Sequence, residues 1–357
     1  MASLAQSAEV QDEQYVSMRD LITEYAIRAR TVLTSKRDAN TTFFSNATVP
    51  MMSVALAVLL AFAALSAQHS DAQSLPAFSV SDSELAAAAH RMREGDANRA
   101  KPGQIVLNYQ DHTNSRDTVD NAPENFFKHV DPTLLSRPTF AALIALFGDY
   151  NRDAGVAEPR VSSATEKKNI DNFMDAVAAT EPYKILFNFL NKNGHPFATN
   201  EQTLRKNLKH IWFDRYSRAR GVLDSSGFEH VFVGEAKNGE VSGLHNWIRY
   251  YTLEKDAKGG VNYMGFVLKR GSNLASIKFS WEKEIKPNGS FLIGTSPEYD
   301  FSVLSLCFLS RREREECRLE IDGCPFSVTS FDLQQKGDVF IGTSYPTAGA
   351  SALACRA

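Results

Sequence analysis

The stretch GFEHVFVGEAKNGEVSGLHNWIRY, residues 227–250, marks the point at which the pattern of the chain changes. It contains short apolar runs separated by glycines, and its segment Lys237-Asn238-Gly239-Glu240 is typical of a tight turn between two strands. His230 stands inside the first apolar run, which we interpret as strand-like, and His245 follows the turn. The stretch therefore predicts a hairpin with one histidine on each side of its turn.

Upstream of this stretch, apolar residues recur at helical spacing. The clearest stripe lies within residues 165–179, and Ser81 begins a capping box with Glu84. Helices are predicted in this way at residues 85–93, 138–147, 165–179 and 204–212.

Downstream of residue 225, short β-rich runs are punctuated by Gly, Asn and Pro. They lie at residues 230–233, 263–268, 276–281, 291–293 and 339–341. We therefore predict an α+β fold, in which a helical N-terminal part packs on antiparallel β-sheets that carry the active site. The helical half covers about residues 79–222 and the β-rich half about residues 223–346.

The composition is that of a globular protein with a sizeable core. Hydrophobic residues make up 43% of the 357 residues and charged residues 23%, which argues against a disordered chain. The net charge of −3 carries no sign of nucleic-acid binding. Any RNA site must therefore be a local patch.

The first 72 residues are interpreted as a leader. Residues 39–70 contain no Asp, Glu, Lys or Arg, and residues 51–67 form an apolar run. Residues 51–72 are predicted to be either a cleaved signal peptide or a signal anchor, with residues 1–50 as a cytosolic tail, and a buried core helix is the third alternative. The basic residues before the run favour a type II orientation. Either membrane interpretation makes the rest of the chain secreted or lumenal.

Four cysteines lie near the end of the chain, and their spacing matches no zinc-binding pattern. They are Cys307, Cys317, Cys324 and Cys355. Structural disulfides and buried thiols both fit this pattern, and the sequence leaves the pairing open. Glycosylation sequons begin at Asn40, Asn46 and Asn288.

His230 and His245 are the candidate reactive residues. Two histidines that face each other at neutral pH can hold one proton between them, as acid–base cleavage of a ribose phosphodiester requires. The same pair could hold a metal ion together with Glu229 or Glu235, or could be structural. From the residues alone, these three alternatives stay open.

Several separated blocks resemble the EndoU endoribonucleases, cellular relatives of the coronavirus uridylate-specific endonuclease. The blocks are residues 138–150, 211–216, 227–235, 242–250, 286–300 and 341–345. The resemblance covers residues 79–346, which are predicted to be the catalytic domain, and leaves residues 347–357 as a C-terminal tail.

The resemblance implies three catalytic residues. His230 matches the family's general acid, His245 its general base, and Lys286 the lysine that stabilises the phosphorane. Lys278 and Lys283 lie nearby and are interpreted as solvated lysines. The implied products are a 2′,3′-cyclic phosphate and a 5′-hydroxyl.

The resemblance also implies how the substrate is bound. Thr343 and Tyr345 match residues that read and stack on uracil, and Glu229 and Glu235 match supporting acids. The family commonly depends on Mn2+, but the sequence does not identify the metal-binding residues. The implied partner is single-stranded RNA that contains uridine.

Two alternative functions have distinct consequences. A secreted or membrane-tethered RNA-binding module of the same fold would bind RNA without cleaving it, and a metal-dependent phosphohydrolase would leave 5′-phosphate ends. A membrane is an expected partner through residues 51–67, and no protein partner can be inferred. One basic and aromatic stretch is a candidate RNA-guiding patch or a solvated helix face: Arg205, Lys206, Lys209, Trp212, Arg215, Tyr216 and Arg218.

Overall fold

The computed structural model describes residues 75–76, 78–156, 163–219, 221–312 and 315–356. The predicted leader, with its apolar run at residues 51–67 and the sequons at Asn40 and Asn46, lies outside the described residues. Within the described ranges, no helix is both long and apolar enough to cross a membrane. The described chain belongs to one compact unit.

Six of the eight α-helices of the described residues lie before residue 214. The α-helices of the described residues are α1 (Asp82–Glu94), α2 (Pro132–Leu135), α3 (Pro138–Leu146), α4 (Ser163–Ala178), α5 (Glu181–Lys192), α6 (Glu201–Phe213), α7 (Trp247–Lys255) and α8 (Pro297–Ser310). Helix α1 begins with the predicted capping box. The Glu84 amide donates to Ser81 Oγ at 3.2 Å, and the Ser81 amide donates to Glu84 Oε2 at 2.9 Å.

Helix α8 lies inside the molecule, and all its residues from Pro297 to Ser310 are buried. Its Ser296 cap accepts the Tyr299 amide at 3.2 Å, and Trp212 Nε1 of α6 donates to Ser305 Oγ at 2.8 Å. A helix surrounded by protein has no polar face and therefore no one-sided stripe. For this reason the periodicity of the sequence did not predict it.

The strands form three sheets. They are β1 (Ile105–Leu107), β2 (Phe127–Val130), β3 (Glu235–Lys237), β4 (Glu240–Ser242), β5 (Val261–Arg270), β6 (Leu274–Trp281), β7 (Glu284–Leu292), β8 (Cys317–Ile321), β9 (Cys324–Gln335) and β10 (Asp338–Ala348). The large sheet has the order β3-β4-β7-β6-β5, and the others are β10-β9-β8 and β1-β2. All pairs are antiparallel except β4 with β7. Strand β10 packs against β5 and β7, which brings the two larger sheets together.

The turn at Asn238 and Gly239 is confirmed. Both residues have positive φ, 53° and 82°, and they join β3 to β4 as the Asn-Gly pattern predicts. The strand predicted at residues 230–233 is wrong, because Glu229–Val233 forms a buried π-helical turn. A short apolar run that is buried on all sides fits a strand and a helix equally well.

The four cysteines form two disulfides, Cys307–Cys317 and Cys324–Cys355. The first joins the end of α8 to β8, and the second joins β9 to the 3-10 turn Leu353–Arg356. Two closed loops therefore tie the C-terminal sheet and its tail to the core.

Candidate active site

A cavity of about 480 Å³ opens between the two larger sheets. It is bordered by His230 of the π-helical turn, His245 of the loop before α7, and Lys286 of β7. Thr343 and Tyr345 of β10 also border it. The fold thus brings together residues that lie up to 115 positions apart in the chain, the separation of His230 and Tyr345.

Backbone hydrogen bonds hold the two histidine segments side by side. The Leu244 amide donates to the His230 carbonyl at 2.9 Å, and the His245 amide donates to the Val231 carbonyl at 2.7 Å. Gly243 makes this approach feasible. It has a φ of +67°, and a Cβ atom there would lie 1.8 Å from the His230 carbonyl oxygen.

Gly243→Ala is expected to lower the free energy of unfolding by at least about 3 kcal/mol, because backbone strain and a clash with backbone atoms add together. Gly239→Ala is the matched control. It also has positive φ, but no atom lies within 4 Å of its Cβ position, so it should cost only about 1–2 kcal/mol. Urea unfolding measures both, and equal losses would contradict this account of Gly243.

His245 is set up to accept a proton. Its Nδ1 lies 2.9 Å from the Ser290 carbonyl oxygen, which can only accept, so Nδ1 carries the hydrogen and Nε2 keeps its lone pair. Burial, reinforced by the charge of Lys286, lowers the pKa of His245 well below its ordinary value. The imidazole is therefore neutral at pH 7. It stacks on Tyr345, with ring centroids 4.7 Å apart.

His230 faces an anion instead. Its Nδ1 lies 3.6 Å from Glu235 Oε2, and Glu235 lies 3.4 Å from Arg218 Nε and accepts the Ser225 hydroxyl. Burial and the charge of Arg218 lower the pKa of His230 to about 4, and Glu235 opposes this shift. Burial alone would raise the pKa of Glu235, but His230, Arg218 and Ser225 together hold it below its usual value. Glu235 is therefore a buried carboxylate that stabilises His230 once it is protonated.

Lys286 is half-buried at the cavity. Burial lowers the pKa of its ammonium group to about 8, and the charges of Glu240 and Glu235 oppose the shift. Lys286 is thus a cation at pH 7 and loses its charge just above the physiological range. Its position near both histidines places positive charge at the mouth of the cavity.

Hydroxyl and amide groups also border the cavity. Thr343 Oγ1 is buried and, within the described residues, has no hydrogen-bond partner. Ser276, Asn288 and Ser290 also border the cavity. Strand alternation alone does not place Asn288 and Ser290 beside Lys286, because the register of β7 against β6 shifts between Lys286 and Gly289.

The other predicted residues lie apart from the cavity. Glu229 is buried in the π-helical turn and does not border it. The interpretation of Lys278 as solvated is wrong, because it is fully buried and its Nζ lies 2.7 Å from Asp117 Oδ1. Lys283 is exposed. Burial of a lysine requires a partner, and a distant loop supplies it here.

The predicted RNA-guiding patch is not a continuous surface of free cations and aromatic rings. Trp212 and Tyr216 are fully buried, and Arg215 pairs with Glu166 at 2.9 Å. Arg205 pairs with Asp175, and Lys209 pairs with Asp171. Helical spacing places Trp212 on the core side of α6, whereas Tyr216 follows the helix and donates from its hydroxyl to the Ile341 carbonyl at 3.0 Å.

A resident manganese ion does not fit the donors present. Within the ranges that the structure describes, no three His, Cys, Asp or Glu side chains are grouped so that they could hold a metal ion. His230 and Glu235 face each other, but Arg218 already shares that carboxylate. A guanidinium is a poor neighbour for a divalent cation.

Two buried histidines that differ in their partners, beside a lysine, form an arrangement that can supply acid–base catalysis. Comparison with known proteins agrees. The chain belongs to the family described as Endoribonuclease XendoU, whose profile matches residues 84–346.

Curated relatives are similar over most of this chain. A uridylate-specific endoribonuclease of Bos taurus is 35% identical over 277 residues, 74% of this chain and 65% of that protein. Uridylate-specific endoribonuclease C of Xenopus laevis is 34% identical over 280 residues, 75% of this chain and 90% of that protein. The chain thus spans about two thirds of the length of the Bos taurus relative.

A solved structure is similar to most of this chain, and the match extends over the whole length of that structure. It is described as XendoU, a splicing independent snoRNA processing endoribonuclease. The TM-score is 0.62 at 30% identity, and the match covers 78% of this chain and 100% of that one. The family prediction and the α+β prediction are both confirmed.

Proposed function

We propose that this protein is an endoribonuclease that cleaves single-stranded RNA at uridylates. It does so by attack of the ribose 2′-hydroxyl, giving 2′,3′-cyclic phosphate and 5′-hydroxyl ends. The observation that carries the proposal is that His230, His245 and Lys286 border one cavity in different electrostatic environments. The names of the curated relatives support the choice of uridylate.

The reaction begins with removal of the 2′-hydroxyl proton. His245 Nε2 accepts it, because Nδ1 is committed to the Ser290 carbonyl and the ring is neutral. The O2′–P bond forms, and a phosphorane with additional negative charge results. Lys286 stabilises this charge as a cation in a partly desolvated position, where electrostatic interactions are strong.

The reaction ends with departure of the 5′-oxygen, which needs a proton. His230 supplies it from Nε2, because its Nδ1 faces Glu235. The pKa of His230 in the free protein is about 4, so the donor form must be generated on binding. The phosphodiester brings a negative charge into the buried site, which raises the pKa of His230 in the complex.

We propose that the uracil lies against Tyr345 and that Thr343 contacts its polar edge. The half-buried ring of Tyr345 offers a stacking surface, and the hydroxyl of Thr343, which has no partner among the described residues, gains a hydrogen bond when a base binds. Dependence on Mn2+ stays a prediction, which titration of chelator-treated protein with Mn2+ would test.

The pH dependence of kcat/KM is expected to report Lys286. Its pKa is about 8, so the cation is complete below pH 7 and is lost as the pH rises through 8. Above that point loss of the cation should add about a tenfold fall in kcat/KM per pH unit to the fall that the required protonation of His230 already imposes. Lys286→Arg keeps its charge, so its residual activity should lack this added fall below pH 9.5. Wild-type and Lys286→Arg profiles of equal slope up to pH 9.5 would contradict the role of Lys286.

The proposal is tested by mapping cleavage in a single-stranded RNA that contains all four nucleotides in several contexts. Cuts confined mainly to the 3′ side of uridines are expected. Intact RNA that remains bound would instead favour the non-catalytic binding module, and cuts without base preference would remove uridylate specificity.

We also propose that the domain works outside the cytosol, either secreted or tethered through residues 51–67. Two disulfides support this, since such bonds persist in oxidising compartments. Protease accessibility of the domain in intact cells or sealed microsomes that express the chain tests the proposal. A domain exposed on the cytosolic side of microsomes would contradict it.

A further inference from the structure

The cavity extends beyond the catalytic histidines along β7. One face of the Tyr345 ring is covered by the His245 imidazole, at an interplanar angle of 17°. A base that stacks on Tyr345 must therefore use the opposite face. Val267 and Ala348 give the cavity apolar walls, and Asn288 is among the polar residues that border it.

The Asn288 amide has a defined orientation. The Ser276 hydroxyl donates to Asn288 Oδ1 across the β6–β7 pair. This contact turns Nδ2 away from Ser276, and no described residue accepts a hydrogen bond from it. Asn288 itself is exposed at the cavity rim. The rim therefore presents an oriented pair of N–H donors without a partner.

We propose that Asn288, oriented by Ser276, determines specificity at position 4 of the pyrimidine. In this arrangement Asn288 Nδ2 donates to O4 of uracil. Cytosine carries an amino group at the same position, so that two donors would oppose each other. This inference rests on the proposed function, because it assigns the base preference of the same site to a residue outside the catalytic group.

The physical reason for discrimination is the cost of an unpaired donor. Uracil and cytosine have nearly the same shape, so stacking on Tyr345 cannot separate them. Asn288 is exposed in the free protein, so its donor loses water only when a base covers it, and opposition to the cytosine amino group then leaves both donors unsatisfied. Rotation of the amide would present Oδ1 to cytosine, but it would leave the hydroxyl hydrogen of the buried Ser276 without its acceptor, so the observed orientation is favoured.

The test is the ratio of kcat/KM for two otherwise identical oligonucleotides, one with a single uridine and one with a single cytidine. The full chain should be made in a host that does not glycosylate, because Asn288 begins a sequon. Asn288→Ala should lower the uridine-to-cytidine ratio about tenfold or more. Asn288→Asp, which offers only acceptors, should lower it further by favouring the cytidine amino group. Ser276→Ala should lower it by a smaller factor.

The ratio separates specificity from folding, because a damaged protein loses activity on both oligonucleotides alike. A uridine analogue without O4 gives a second check. It should be cleaved equally by wild type and Asn288→Ala. Wild type that prefers uridine, with an unchanged ratio in Asn288→Ala and Asn288→Asp, would overturn this inference and leave the proposed function standing. Wild type that cleaves neither oligonucleotide would overturn both.

Discussion

His245→Ala is expected to lower kcat by about 10²- to 10⁴-fold, the usual contribution of a general base. The imidazole is held by the Ser290 carbonyl and kept neutral by burial, so that Nε2 is available as the proton acceptor. Single-turnover cleavage of a uridine-containing RNA measures the chemical step directly. Binding, followed by fluorescence anisotropy, should weaken much less than kcat falls.

His210→Ala provides the matched control for this loss. His210 is a half-exposed histidine that pairs with Asp214 at 2.7 Å, away from the cavity. Its removal should leave kcat within about twofold of wild type, because His210 does not border the cavity. The fold should also be retained, because a surface pair contributes little to stability. A His245→Ala protein that still unfolds cooperatively and retains wild-type kcat would rule out this histidine as the base.

Lys286→Ala is expected to lower kcat about 10²- to 10³-fold, the loss seen when one stabilising donor is removed from a charged transition state. The effect should fall on kcat more than on KM, because the added charge exists only in the phosphorane. Stopped assays over a range of RNA concentrations up to saturation, at pH 7, separate the two constants.

Lys283→Ala controls for the loss of one positive charge. Lys283 is exposed on the same segment of chain and does not border the cavity. It should change binding by less than about threefold, through the general attraction of RNA to positive charge. Equal losses in Lys283→Ala and Lys286→Ala would mean that Lys286 acts only through bulk charge.

The sequence predicted the elements whose pattern is local. The capping box at Ser81, the helix that begins at Pro138 and the turn at Asn238 each depend on a few neighbouring residues, and each is confirmed. Helix α8 was not predicted, since burial on all sides removes the stripe that reveals a helix. The π-helical turn at His230 was taken for a strand for a related reason.

The site was predictable only in part. The resemblance indicated His230, His245, Lys286, Thr343 and Tyr345, and the structure brings all five to one cavity. Arg218 and Ser276 were not assigned to the site, because each acts through a neighbour that is far away in sequence or on another strand. Burial of Lys278 depends on Asp117, a contact that no sequence spacing reveals.

The measurement that tests the central claim most directly is the chemistry of the product ends. The full chain should be incubated with an RNA that contains one uridine, and the fragments should be identified by mass spectrometry. The account predicts a 2′,3′-cyclic phosphate on the uridine and a 5′-hydroxyl on the next nucleotide, because the ribose 2′-oxygen is the nucleophile. A 5′-phosphate end would show that water attacked instead, and would contradict the roles proposed for His230, His245 and Lys286.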